Sequence, residues 1–190
     1  MNIKNIELEF CEHIRTLENF AVKENYKKID ELACLIKSCL ENGNKLLLCG
    51  NGGSAADCQH LAAEFVGRFK KERHGLPAIA LTVDTSIITA IGNDYGYEKI
   101  FERQIEAIAT NGDILIGIST SGNSKNVLRA VEYARSKDIY SFGFLGCDGG
   151  KLKGLCNDCI VVEEENTARV QEVHILVGHI LCKLVEDLVG

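Results

Sequence analysis

The pattern of hydrophobic and polar positions divides the chain into a helical beginning and an alternating remainder. From about residue 3 to residue 40, apolar residues recur at three- and four-residue spacing, which predicts two amphipathic helices with a break near residues 20–24. Five short apolar runs follow and predict strands at 46–49, 78–81, 114–118, 141–145 and 159–162. The predicted helices between and after them are 55–66, 84–108 in one or two pieces, 125–136 and 168–188.

Continuous apolar strands that alternate with amphipathic helices indicate a parallel sheet covered on both faces. We therefore predict an α/β fold, a doubly wound five-stranded parallel sheet flanked by helices, with an N-terminal helical extension. Residues 1–190 are predicted to form a single domain, with the N-terminal helices in residues 1–42 and the sheet and last helix in residues 43–190. Ligands of such sheets bind beyond the carboxyl ends of the strands, which directs attention to the loops that follow them.

Composition and charge narrow the classes of function. The net charge is −6 and basic residues are not clustered, which argues against nucleic acid as a partner. No apolar run approaches the ~18 residues of a membrane span, so we expect no membrane partner. The first residues carry charges throughout, unlike a signal peptide. An odd number of cysteines, nine, fits reduced thiols, and we expect a cytoplasmic protein.

One pair of cysteines, Cys156 and Cys159, has the spacing of half a zinc site or of a redox pair. A structural zinc site usually needs a second pair, which is not nearby, and a redox pair usually opens a helix. This pair instead leads into a predicted strand. We interpret both residues as buried thiols.

Two loops after predicted strands have the composition of anion-binding loops. The first, at 50–54, is Gly-Asn-Gly-Gly-Ser, in which Ser54 could cap the following helix. The second, at 119–124, is Ser-Thr-Ser-Gly-Asn-Ser and places four hydroxyls before a helix. Hydroxyls and free N–H groups at a helix start suit a phosphate monoester. Neither loop matches the G-x-x-x-x-G-K-[ST] motif of nucleoside triphosphate sites or the complete G-x-G-x-x-G motif of dinucleotide sites. We therefore expect no nucleotide cofactor.

Side chains suited to proton transfer and metal binding lie on two predicted helices. His60 and Glu64 are four residues apart, which places them on one helix face near the first loop. Gln171 and His179 lie about two turns apart on the last helix. Together these four residues form a plausible nitrogen and oxygen site for zinc or a similar divalent ion.

Spacing leaves two choices open on the last helix. It does not show that the two helices meet. It also does not distinguish His179 from His174, or Gln171 from Glu172.

The motifs together resemble those of the phosphoheptose isomerases of the sugar-isomerase (SIS) superfamily. The similarity includes GNGGSAAD with His60 and Glu64 after it, the GND of residues 92–94, STSGNS and the C-terminal QEVHILVGHI, and it extends over essentially the whole chain. STSGNS alone indicates a SIS domain that binds a phosphosugar. The pairing of His60 and Glu64 with Gln171 and His179 indicates this particular family, and the resemblance implies that these four residues are its zinc ligands.

The resemblance also implies the reaction, the first step of heptose precursor biosynthesis. Sedoheptulose 7-phosphate would become D-glycero-D-manno-heptose 7-phosphate through an enediolate, with Glu64 as the base at carbon and His179 as the acid and base at oxygen. The family implies a homotetramer with sites between subunits. The expected substrate-binding residues are Asn51, Gly52, Gly53, Ser54, Glu64, Asn93, Asp94, Ser119, Thr120, Ser121, Ser124 and Gln171.

Two alternatives remain open from the sequence. One is a binding protein on the same fold, either a phosphosugar sensor or a partner-binding protein of the DnaA initiator-associating type. Such a protein would keep STSGNS without needing Glu64 and His179. The other is an isomerase of a different sugar phosphate, because pocket depth sets the substrate length.

Overall fold

The computed structural model describes residues 2–189, and these residues form one five-stranded, wholly parallel sheet with the strand order β2-β1-β3-β4-β5. The strands are β1 (Leu46–Gly50), β2 (Ala78–Ala80), β3 (Ile114–Ser119), β4 (Tyr140–Gly146) and β5 (Asp158–Val162). The chain reverses its direction of progress across the sheet between β1 and β3. Because Gly50 pairs with Ile118 at the ends of these two strands, the loops that follow them leave the sheet side by side.

Seven α-helices surround the sheet within the described residues. They are α1 (Ile3–Phe20), α2 (Lys23–Glu41), α3 (Gly53–Val66), α4 (Thr85–Tyr95), α5 (Glu102–Ile108), α6 (Lys125–Ser136) and α7 (Thr167–Val189). Short 3₁₀ turns lie at Tyr97–Lys99 and Lys151–Gly154. No helix in residues 2–189 is long and apolar enough to cross a membrane.

The sheet separates two apolar cores, as the continuous apolar strands predict. In β1, Leu46 and Leu48 face one core with α2, α3 and α7, whereas Leu47 and Cys49 face the other with α5 and α6. All five β1 residues are buried. The predicted doubly wound α/β fold with its N-terminal helical extension is confirmed.

The prediction that Ser54 caps the first helix after β1 is wrong. The helix begins two residues earlier than predicted, at Gly53, with Gly52 at the N-cap position and no side-chain cap. Gly52 has a φ of 55°, which lets the chain turn sharply enough for the helix to start there. Ser54 is therefore buried in the first helical turn, and its Cβ would crowd any side chain larger than hydrogen at Gly50.

The cysteines are free thiols throughout residues 2–189. Burial raises the pKa of Cys156 to about 12 and also raises the pKa of Cys159 above its ordinary value. Thiols in such surroundings stay protonated at neutral pH, unlike the low-pKa thiols of redox centres. Cys159 is buried as predicted, whereas Cys156 is half-buried.

Candidate active site

The serine-rich loop after β3 brings hydroxyl groups together at the start of α6. The Oγ atoms of Ser119 and Ser124 lie 2.9 Å apart, and Ser124 is the residue at the N-cap of α6. Ser121 is exposed at the tip, where its hydroxyl accepts the N–H of Asn123. Gly122 has a φ of 62°, and any Cβ there would overlap the backbone of Gly149. The loop thus needs glycine at this position to present its hydroxyls beside free helical N–H groups.

The two loops are held to each other by side-chain amides. Asn51, in the loop after β1, forms hydrogen bonds with Asn126 of α6, and the hydroxyl of Tyr97 donates to Asn51 as well. Neither Asn126 nor Tyr97 belongs to the residues predicted from sequence. A tyrosine 46 positions away has no local pattern that would mark it as a partner of Asn51.

Helices α3 and α7 meet beside these loops and bring three predicted side chains together. Nε2 of His60 lies 2.8 Å from Nε2 of His179, and 3.5 Å from Oε1 of Glu64. Close approach of the helices depends on Gly178, where a Cβ would overlap Leu61. All three predicted residues therefore converge within one chain.

Gln171, one turn into α7, lies over the first loop. A Cβ at Gly53 would overlap the amide group of Gln171, so the glycine leaves the space that this side chain fills. Gln171 thus packs against the start of α3, at the loop after β1. The sequence alone could not show that α3 and α7 meet in this way.

The structure also separates the two pairs that the spacing left undecided. His174 is fully buried, with Nε2 3.1 Å from the carbonyl oxygen of Leu145, and burial lowers its pKa to about 4. Glu172 contacts His13 and Arg169 rather than the loops. Of the four candidates, Gln171 and His179 are the two on the α3 side of α7.

Asn93 and Asp94 lie in the last turn of α4 and are exposed. Their closest described contact is with each other, 2.8 Å from Nδ2 of Asn93 to Oδ1 of Asp94. The 3₁₀ turn that follows α4 contacts the first loop through the hydrogen bond from Tyr97 to Asn51. Asn93 and Asp94 therefore lie near the border of the site. They do not contact His60 or His179 in the described structure.

Two residues of this region were not predicted. Asp57 lies three residues before His60 on α3, and its Oδ2 is buried with no hydrogen-bond partner among residues 2–189. Burial raises the pKa of Asp57 to about 6. Phe69 stacks on the imidazole of His179, with ring centroids 5.7 Å apart and planes at 25°. The only sequence signal was for Asp57, which belongs to the GNGGSAAD motif.

The two imidazoles and the carboxylate at this junction are ligand types that zinc prefers, whereas the amide of Gln171 is a less usual one. The two imidazole nitrogens are spaced as a hydrogen-bonded pair. Tetrahedral ligands at Zn–N distances of ~2.0–2.1 Å are separated by about 3.3 Å, compared with 2.8 Å between His60 and His179. Within residues 2–189, no group of three or more His, Cys, Asp and Glu side chains is already arranged around a metal position. The nitrogen and oxygen donors therefore suit zinc, but His60 and His179 lie closer together than two ligands of one ion would.

Comparison with known proteins first defines the class. The sequence profile of the SIS domain family matches residues 9–146, which contain both loops and all of α3. The curated phosphoheptose isomerase of Nitratiruptor sp. is 54% identical over 185 residues, 97% of this chain and 98% of that protein.

Solved structures agree with this match over the whole fold. The phosphoheptose isomerase from Neisseria gonorrhoeae superposes with a TM-score of 0.90 at 41% identity, covering 98% of this chain and all of that one. The phosphoheptose isomerase from Francisella tularensis gives 0.93 at 38% identity, over 98% of this chain and 99% of its own. The chain belongs to the phosphoheptose isomerase family, and it is a phosphosugar isomerase.

Proposed function

We propose that this enzyme converts sedoheptulose 7-phosphate into D-glycero-D-manno-heptose 7-phosphate, the first step in making a heptose precursor. One observation carries the proposal: α3 and α7 bring Glu64, His60 and His179 together beside the loops after β1 and β3. A pair of proton-transfer groups next to a phosphate-type loop is what an aldose–ketose isomerase of a sugar phosphate needs. Relatives that are about half identical over nearly the whole chain are named for this substrate class.

Glu64 is the proposed base at carbon. Its carboxylate takes the proton from carbon 1, the electrons of that C–H bond form the C1–C2 double bond, and the carbonyl electrons move to oxygen 2. Returning the proton to carbon 2 gives the aldose. His179 carries the proton from oxygen 1 to oxygen 2, so atoms and charge balance. Each positioned proton-transfer group contributes typically ~10²–10⁴-fold to the rate.

The loops hold the rest of the substrate in this proposal. Hydroxyls and N–H groups of the loop after β3 bind the phosphate, through Ser119, Thr120, Ser121 and Ser124. The backbone at Gly52, Gly53 and Ser54 lines the sugar, and the α4 end supplies Asn93 and Asp94 for its hydroxyls. Anchoring the phosphate far from the reacting carbons contributes to the rate as well as to affinity.

Zinc is the proposed cofactor, and His60, Glu64, Gln171 and His179 are the residues that would hold it. When bound, the ion stabilises negative charge that develops on the substrate oxygens. The amide of Gln171 lies against Gly53 at the start of α3, the helix that also carries His60 and Glu64. Titration of the purified protein with zinc by calorimetry, beside His60→Gln, tests this assignment without relying on turnover.

A homotetramer with sites between subunits is the proposed assembly, in the cytoplasm. Helix α1 supports it, because one of its faces is apolar yet exposed in the single chain. The residues of this stripe are Ile3, Ile6, Phe10 and Ile14. Light scattering coupled to size-exclusion chromatography should give four times the chain mass of 20.9 kDa. The free thiols fit a reducing compartment.

The deciding experiment follows sedoheptulose 7-phosphate by NMR with metal-stripped and zinc-restored protein. Glu64→Gln keeps the shape of the side chain and removes the base, so we expect a folded protein without turnover. Glu41→Gln is the matched control, since Glu41 is an exposed residue at the end of α2 that pairs with Lys37. Wild-type protein that binds the sugar phosphate without isomerising it would favour the binding-protein alternative.

A further inference from the structure

A buried carboxylate on α7 holds the loop that follows α3. Glu186 is 1% exposed, and its two oxygens accept the backbone N–H groups of Phe69, Lys70 and Lys71 at 3.0, 2.8 and 2.9 Å. A carboxylate that accepts several backbone N–H groups is a strong anchor. The loop is therefore tied to α7 at three consecutive residues, although it has no regular secondary structure.

The same loop carries a buried cation that binds the end of α3. Arg73 has a side chain that is 7% exposed, and Nε lies 3.2 Å from Oε1 of Glu186. Its guanidinium donates to the carbonyl oxygens of Glu64 and Phe65 at 2.9 and 2.8 Å. It also donates to the carbonyl of His74 at 2.9 Å. Carbonyls in the last turn of a helix have no partner within the helix, and a cation there is favourable.

This ion pair joins the two helices that form the candidate active site. Arg73 is attached to α3 at Glu64 itself, whereas Glu186 is on α7 two turns beyond His179. Between them, Phe69 donates its N–H to Glu186 and lays its ring against the imidazole of His179. One carboxylate thus fixes the backbone of the residue that contacts the proposed proton carrier.

We propose that Glu186 and Arg73 are positioning residues of this isomerase, which fix residues 67–74 so that the ring of Phe69 holds the imidazole of His179 in place. The inference rests on the proposed role of His179. It is specific about Glu186: a glutamine there would turn an amide NH₂ toward backbone N–H donors and leave Arg73 without its counter-charge. A nearby surface pair, Lys71 with Asp187 at 2.7 Å, joins the same loop to the same helix without either effect.

The matched variants are therefore Glu186→Gln and Asp187→Asn, with Phe69→Leu and Phe69→Tyr for the ring. In protein with labelled histidine, the ring of Phe69 shifts the NMR signals of the His179 imidazole. We expect Phe69→Leu to remove this ring-current shift, Glu186→Gln to reduce it, and Asp187→Asn and Phe69→Tyr to preserve it. A shift unchanged in Glu186→Gln would overturn the proposal.

Kinetics give the second readout. We expect kcat to fall roughly ten- to a hundred-fold in Phe69→Leu and Glu186→Gln, with KM changed much less, because a misplacement of about 1 Å is enough for such losses. Asp187→Asn should keep the wild-type kcat, because Asp187 pairs with Lys71 at the surface. Folded Phe69→Leu protein with wild-type kcat would refute the positioning role.

The NMR and kinetic experiments distinguish failure of this inference from failure of the proposed function. If wild-type protein lacks isomerase activity, the proposed reaction fails, whereas the ring-current comparison still tests whether Glu186 positions Phe69. If Glu186→Gln does not fold, Arg73→Lys replaces it, because lysine keeps the charge and loses the fork that binds several carbonyls. Wild-type NMR shifts and kcat in Arg73→Lys would then count against the proposal.

Discussion

Asn51 and Asn126 exchange two hydrogen bonds and thereby join the loop after β1 to the first turn of α6. Nδ2 of Asn51 donates to Oδ1 of Asn126 at 2.8 Å, and Nδ2 of Asn126 donates back to Oδ1 of Asn51 at 2.7 Å. Tyr97 adds a third bond of 3.1 Å to the same Asn51 oxygen. Because this oxygen already accepts two donors, the Asn51 side chain holds the two loops together.

Breaking this amide pair should disturb both loops at once. Asn126→Ala leaves Asn51 without its reciprocal partner, so we expect a higher KM for the sugar phosphate and a lower kcat/KM. Asn51→Ala and the double variant complete a double-mutant cycle. Residues in direct contact typically show a coupling free energy of ~0.5–3 kcal/mol in such a cycle. Additive effects on kcat/KM would show that the two amides act independently. Tyr97→Phe, which loses a single exposed bond, should have the smallest effect.

The hydroxyl pair of the second loop should matter for affinity to phosphate. Ser124→Ala removes one hydroxyl from the pair with Ser119, and we expect weaker competitive inhibition by inorganic phosphate along with a higher KM. Neutral hydrogen bonds contribute about 0.5–1.5 kcal/mol each, which corresponds to roughly two- to ten-fold. Ser136→Ala is the control, because Ser136 is exposed at the other end of α6. Equal phosphate inhibition in both variants would argue against phosphate binding by the loop after β3.

Gly53 provides a test of the role of Gln171 that leaves Gln171 unchanged. In Gly53→Ala the new methyl group overlaps the amide of Gln171, whose flexible end must move away. We expect weaker zinc binding by calorimetry and lower activity, with little loss of stability. Gly154→Ala is the matched control, since a Cβ at Gly154 meets nothing within 4 Å. Unchanged zinc affinity in Gly53→Ala would remove Gln171 from the proposed ligands.

His174 should make stability depend on pH. Its pKa falls from 6.5 to about 4 on folding, because burial disfavours the charged ring more than the Leu145 carbonyl favours it. The unfolded chain then binds an additional proton between pH 6.5 and 4. This contribution is complete above pH 6.5 and is lost as the pH falls toward 4, by about 3 kcal/mol in total.

Urea denaturation at pH 7 and at pH 4.5 measures this contribution. His174→Gln can still donate to the Leu145 carbonyl but does not titrate, so its stability should decrease less on acidification than that of the wild type. His74→Gln, at an exposed position in the loop after α3, should retain the wild-type pH dependence. If the wild type and His174→Gln lost equal stability, the buried imidazole would not be the titrating group.

Sequence periodicity predicted the fold well because each element buries a regular pattern of residues. Strand-length apolar runs such as 114–118 became central strands, and the helical segment 84–108 divided into α4 and α5 where Gly96 breaks it. The start of α3 was predicted wrongly, because the positive φ of Gly52 lets the helix begin before Ser54. Such a backbone conformation has no hydrophobic pattern to mark it.

The candidate site was predictable only where its residues share an element or a motif. His60 and Glu64 are a helical pair, whereas the contact of His60 with His179 spans 119 residues. No sequence pattern marks the ion pair of Arg73 and Glu186, since one residue lies in an irregular loop and the other in an amphipathic helix. Contacts of this kind follow from packing of the finished fold rather than from local preference.

The packing of the first helices on the last one has a consequence for synthesis of the protein. α2 buries Ile29, Leu32 and Ile36 in the core that α7 completes with Val177 and Leu181, and α1 also contacts α7. A growing chain exposes these apolar faces until α7 has left the ribosome, and chaperones bind such surfaces during this period. His179 and Glu186 arrive in the same step. Docking of α7 therefore covers the apolar face of α2 and brings His179 beside His60 in one folding step.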